Sequence, residues 1–164
     1  MREAGAMLSY GARRHLPYPQ HQLFDVAADI EKYPEFLPWF AAVRILRRED
    51  NRLEVEQLMR FRLVNARFLT TAQLEPPRRI DIRSGAGPFR SFHESWVFEE
   101  AAGGGTEVEF SLEASLRSRV MEGLAAFFLD QRTIPADVIA RFERRVHELY
   151  RASAGAGRGR RARA

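Results

Sequence analysis

Acid–base, nucleophilic or metal chemistry would have to come from a short roster of residues in this 164-residue chain. The four histidines stand at 15, 21, 93 and 147, and none has a second His or an acid at a spacing suited to sharing a metal ion. Cysteine is absent, which removes thiol nucleophiles, Cys-ligated zinc or iron–sulfur centres, and disulfides. His93-Glu94 is the one pairing with acid–base character. The alternation around it is that of a strand, where neighbours point to opposite faces, so His93 is expected outward and Glu94 inward. No G-x-S-x-G elbow occurs, and the glycines at 85, 87 and 103–105 lack the following helix N-terminus that would cradle a phosphate. They read as hairpin turns. No catalytic residue and no metal site is expected.

What remains is an apolar lining broken by a few polar groups. Leu53, Val55, Gln57, Met59 and Phe61 alternate with Glu54, Glu56 and Arg60, giving a half-buried strand whose inner face is apolar except at Gln57. Ala66, Phe68, Thr70, Ala72 and Leu74 repeat the pattern with Thr70 as the exception. The parity of Phe92, Trp96 and Phe98 places Arg90 and Glu94 inward as well. A buried polar group without a partner costs several kcal/mol. Either these four satisfy one another or they face the polar head of a ligand, and core packing accounts for the aromatics equally well. An apolar pocket with a few convergent polar groups is what a small-molecule site requires.

The elements that position this lining follow from period. Leu8 to Leu16 alternates and stops at Pro17-Tyr18-Pro19, a first strand. Leu23, Phe24, Ala27 and Ile30 then fall at helical spacing, and Tyr33 to Trp39 is too rich in proline for more than one further turn. About six strands follow, the clearest running from Val108 to Leu116. From Arg117 the pattern is helical, with Val120, Leu124, Phe127 and Phe128 on one side, until Pro135 kinks or restarts it. The second segment carries Val138, Ile139, Phe142, Val146 and Leu149 as an apolar stripe. Strands grouped together, then one long helix, is an α+β order. Residues 1–8 read as a short extension, 9–150 as the domain and 151–164 as a disordered tail.

The formal charge of +4 lies in that tail, RASAGAGRGRRARA, whose five arginines leave 21 bases against 22 acids before it. The folded part is nearly neutral. The tail's charge suits contact with RNA, ribosome or anionic lipid, and a bland solvated appendage is the expected reading of a basic run of this kind. The N-terminus lacks the apolar run of a signal peptide and nothing approaches a membrane span, so a cytoplasmic protein is expected.

Tyr33-Pro34-Glu35-Phe36-Leu37-Pro38-Trp39, Gly87-Pro88-Phe89, Trp96 and Phe98 seven and nine residues later, and Phe142-Glu143-Arg144-Arg145 together resemble one known branch. It is the coenzyme Q-binding, RatA-like (polyketide cyclase-like) branch of the START-type helix-grip superfamily, over roughly residues 9 to 150. The resemblance implies a helix-grip (START/Bet v 1-like) fold: a curved antiparallel sheet of six to seven strands against a long C-terminal helix, with two short helices after the first strand. It also implies non-enzymatic, non-covalent binding of ubiquinone or another polyprenyl lipid in support of respiratory electron transport or quinone biosynthesis, with peripheral contact at the inner membrane. Phe61, Phe68, Phe92, Trp96, Leu124, Phe127, Phe128 and Val138 would line the pocket, and Gln57, Thr70, Arg90 and Glu94 would meet the head group. The same branch offers a RatA-type toxin that binds the ribosome and blocks subunit association. A third implication is a polyketide cyclase or dehydratase that polarises a carbonyl with Arg90 and Glu94.

Overall fold

The computed structural model describes residues 7–61, 64–117 and 134–159. Strand β1 (Met7–Leu16) is followed by helix α1 (Gln20–Ala28) and a 3₁₀ helix (Ile30–Glu35). Six strands come next, β2 (Phe40–Glu49), β3 (Arg52–Phe61), β4 (Val64–Glu75), β5 (Arg79–Ser84), β6 (Phe89–Glu100) and β7 (Thr106–Leu116). The last described element is helix α2 (Ile134–Gly159). The strands form one seven-stranded sheet in the order β1-β7-β6-β5-β4-β3-β2, antiparallel throughout. Consecutive strands pair as hairpins, and β1 closes the far edge against β7. The α+β architecture expected from the order of elements, and the helix-grip form that the resemblance implied, are both present.

Alternation decides which face of the sheet is covered. Leu53, Val55, Gln57 and Met59 on β3, Phe68, Thr70 and Ala72 on β4, and Val108, Phe110 and Leu112 on β7 are buried, while their neighbours face outward. Helix α2 lays Val138, Ile139, Phe142 and Val146 onto this face at i, i+1, i+4 and i+8 spacing. The Phe142 ring lies 4.8 Å from that of Trp96 on β6. Ion pairs along the helix flank, Arg14 with Glu143 and Arg145 with Glu35, tie α2 to β1 and to the 3₁₀ helix. Such pairs are exposed and add little stability beside the apolar stripe.

Three details refine the reading from sequence. Pro135 stands in the first turn of α2, where its missing N–H costs no hydrogen bond, and the helical segment expected before it lies outside the described residues. Helix α2 runs to Gly159, nine residues beyond the boundary expected at 150. The turn at 85–88 needs glycine at position 87: its φ is +62°, and a Cβ there would stand 2.7 Å from Cβ of Phe68. Gly87→Ala is expected to lower stability by about 1–3 kcal/mol, read as a lower urea midpoint with an unchanged m-value.

Candidate functional site

The concave face of the sheet under α2 collects the sequence-predicted lining. Phe68, Phe92, Trp96 and Val138 are all buried there. Phe68 and Phe92 pack with Phe89 in a triangle of rings, centroids 5.0 to 5.7 Å apart. Trp96 lies between Phe110 and Phe142, each at 4.8 Å, and is fully buried. The side chain of Phe61 and residues Leu124, Phe127 and Phe128 lie outside the described part.

The polar residues separate into two groups and one exception. Gln57 and Thr70 are adjacent in space: Gln57 Nε2 donates to Thr70 Oγ1 at 3.3 Å, and Thr70 donates to the Val55 carbonyl at 3.4 Å. Gln57 Oε1 is buried with no donor. An orphaned amide oxygen in an apolar interior is a cost that a ligand donor would remove. Glu94, 6% exposed, accepts a 2.9 Å hydrogen bond from Trp96 Nε1. Burial pushes its carboxyl up to about 7, only partly offset by the indole donor, so the group holds its proton through the acidic range and gives it up around neutral pH. Tyr33 from the 3₁₀ helix belongs to the same group. Its phenol is buried, donates to the Ala27 carbonyl at 2.6 Å, and is held well above its ordinary range by burial and then by the nearby Glu94 charge.

Arg90 is the exception: it is exposed on the outer face, not inward. A bulge between Phe89 and Ser91 inserts one residue into β6, so both Phe89 and Phe92 point inward although they are three apart. Strict alternation back from Phe92 therefore assigned Arg90 to the wrong face. The bulge has no simple signature in composition, although Pro88 before it and the glycines of the turn mark a place where pairing begins irregularly.

The His93-Glu94 expectation holds, since Glu94 points inward and His93 outward. On the outer face His93 Nε2 lies 2.7 Å from Asp81 Oδ1, and Arg79 grips the same carboxylate at 2.6 and 2.9 Å. The Arg79 guanidinium first, then His93, holds the Asp81 carboxyl down at about 2. This cross-strand cluster was missed because Asp81 and His93 are brought together by the β5–β6 register, twelve residues apart in the chain. Among the described residues no group of His, Asp and Glu forms a metal site.

An apolar interior under a helix, with a largely protonated carboxyl at one point and an unpaired amide oxygen at another, is equipped to hold a molecule by non-covalent contacts. Residues 16–142 match the family of polyketide cyclase/dehydrase and lipid transport proteins. The chain belongs to that family. A ribosome association toxin RatA from Rickettsia prowazekii is 30% identical over 149 residues, spanning 88% of this chain and 100% of the relative. A second RatA, from Pseudomonas aeruginosa, is 36% identical over 84 residues, which is 51% of this chain and 58% of that relative. Coenzyme Q-binding protein COQ10 homolog B from Xenopus laevis is 20% identical over 147 residues, spanning 87% of this chain and 59% of its own. Both names that the motifs suggested are thus found among the relatives. Among solved structures, the Zhui aromatase/cyclase from a Streptomyces species superposes with a TM-score of 0.75 at 15% identity, covering 90% of this chain and 98% of its own. A START superfamily protein from Mycobacterium smegmatis gives 0.65 at 16% identity over 87% and 98%. At those identities the likeness is one of fold.

Proposed function

We propose that this family member binds a hydrophobic small molecule between sheet and α2 without transforming it, and that the ligand is a polyprenyl quinone such as ubiquinone or a lipid of similar shape. The observation that carries the reading is the pair of polar anchors in an otherwise apolar interior. Glu94, protonated below about pH 7, offers a donor to a quinone carbonyl, and Gln57 Oε1 awaits a donor such as a quinol hydroxyl. The rest of the face supplies apolar contact worth roughly 25 cal/mol per Å2 covered. A cyclase that polarises its substrate between Arg90 and Glu94 loses support, because the two side chains stand on opposite faces of β6.

The test is organic extraction of the protein purified from its host, followed by lipid mass spectrometry. A quinone or other long apolar molecule at near-stoichiometric yield is expected; an empty extract together with no saturable uptake of quinone analogues would sink the reading. Gln57→Leu sharpens it. Removing the orphaned oxygen should stabilise the ligand-free domain by about 1 kcal/mol while lowering the recovered ligand, whereas a plain core residue would show the first effect without the second.

A second reading is favoured by the 30% identity that spans the whole of the Rickettsia relative. In it the protein acts on ribosomal subunits through its surface and its arginine-rich tail. Co-sedimentation with subunits that falls on deletion of residues 151–164, with lipid content unchanged, would support this reading.

A further inference from the structure

The acids of the near-neutral domain are unevenly placed once it is folded. Antiparallel pairing sends the β2–β3, β4–β5 and β6–β7 turns to one end of the sheet, and these mix both signs, Glu49-Asp50, Glu75 and Glu99-Glu100 beside Arg47, Arg48, Arg52, Arg78 and Arg79. The start of β2, the β3–β4 and β5–β6 turns and the exit of β7 lie at the other end. Neither 60–67 nor 83–92 contains an acid. Arg60, Arg67, Arg83, Arg90 and Arg117 stand at this end, all exposed. Arg60 donates to the Asn65 amide oxygen and Arg117 to the Gly85 carbonyl, so neither charge is neutralised by these contacts. Arg67 shares Glu56 with Arg44, at 3.8 and 3.5 Å.

Apolar side chains are set among these charges. Leu69 is 52% exposed on the outer face of β4, and with Leu46, 46% exposed, it borders a surface groove of about 480 Å³ that Arg83 and Glu54 also line. Trp39, half-buried, stands at the start of β2, its carbonyl accepting from the Arg60 N–H at 2.9 Å. The ring triangle of Phe68, Phe89 and Phe92 lies just inside the same end.

We propose that this basic end of the sheet docks on an anionic lipid surface, its arginines on phosphate head groups and Leu69 and Trp39 in the interface. Arginine charge beside apolar or amphipathic side chains matches the layering of a bilayer surface, with phosphate outside and hydrocarbon beneath. A polynucleotide would instead favour exposed aromatic rings between the arginines, and the large exposed hydrophobics among the described residues are Leu46, Leu69 and Leu149. The docking deepens the lipid-binding reading by giving the carrier a surface from which to collect its ligand, and it orients the end nearest the Phe triangle toward the membrane.

The experiment is co-sedimentation of the full chain with vesicles of phosphatidylcholine alone and of phosphatidylcholine with phosphatidylglycerol. Binding is expected only with the anionic lipid and should weaken in high salt. Arg83→Gln/Arg90→Gln, which removes two exposed charges, should weaken it by about 30-fold. Brominated lipid should quench Trp39, since Trp96 is fully buried, and Trp39→Phe should abolish the quenching. Binding that ignores phosphatidylglycerol, or that survives the double substitution and a Leu69→Gln change, would overturn the proposal. So would binding of a poly(U) RNA through the same arginines with none to vesicles. Lipid extraction of the double variant separates the two claims: retained ligand with lost docking upholds both, and docking with no ligand ever recovered removes only the carrier reading.

Discussion

Trp96→Ala is expected to bring the domain close to unfolding. Trp96 is fully buried, and its ring meets Phe110 on the neighbouring strand and Phe142 on α2, so it is one of the side chains, with Phe98, through which sheet and helix grip one another. Truncating a buried Trp to Ala costs about 3–5 kcal/mol through lost transfer energy and the cavity left behind. The indole also donates to Glu94, and leaving that buried carboxyl without its donor adds about 1–3 kcal/mol. A domain of this size has about 5–15 kcal/mol in total. Urea denaturation followed by circular dichroism should show either no cooperative transition or a midpoint greatly reduced. Trp96→Phe, which keeps most of the volume and loses the donor, should fall between this variant and the parent. Equal behaviour of the two variants would mean that the packing of the ring contributes nothing beyond the hydrogen bond that both have lost.

The second large effect is on pH dependence. Burial raises Glu94 from 4.5 to about 7 in the folded protein, whereas in the unfolded chain it returns to its ordinary value. Between those limits the native state binds more protons than the unfolded state, so the stability of folding falls as pH rises. Below about pH 4.5 both states are protonated and Glu94 adds no slope. Above about pH 7 the full difference, about 3 kcal/mol, has been lost. Glu94→Gln keeps an acceptor for the Trp96 indole and removes the titration. It should match the parent at pH 4.5 and exceed it by up to about 3 kcal/mol at pH 8. Asp81 acts in the opposite sense, because Arg79 and His93 depress its pKa to about 2. Its contribution is present at neutral pH and lost as pH falls through the acid range, so the Glu94 effect is read from the difference between parent and variant. Parallel profiles would show that the interior does not keep Glu94 protonated. The same window bears on ligand capture, since a head-group carbonyl can take a proton donor from Glu94 only while the carboxyl is neutral.

Much of the architecture was legible because its signals are local. Alternation in Leu53 to Met59, Ala66 to Leu74 and Val108 to Leu116 reports burial on one face whatever the partner strand is. The i, i+4, i+8 spacing of Val138, Phe142 and Val146 does the same for α2. Those periods located β3, β4, β7, the helix stripe and the inward placement of Gln57, Thr70, Glu94 and Trp96. The opposite facing of His93 and Glu94 also follows from strand geometry alone. The proline- and aromatic-rich run from Tyr33 to Trp39 and the Gly87-Pro88-Phe89 turn carried the family.

What the chain alone could not convey depends on which strand lies beside which. The bulge at Phe89 to Ser91 turns Arg90 outward, and a bulge is defined by the partner strand that it slips against. Asp81 reaches His93, and Tyr33 joins Glu94, only through pairing and packing that no local period records. Glu94 is an inward carboxyl whose proton is held by the interior, a property set by how completely its neighbours exclude water. The charge reading changes most. Composition makes the domain neutral up to its tail, but antiparallel pairing sorts alternate turns to opposite ends, bringing the acid-free segments 60–67 and 83–92 with their arginines to one end and leaving a mixture of acids and arginines at the other. Sequence determined which residues are buried, because burial follows local period; the tertiary structure decided which of them meet, because contacts follow register.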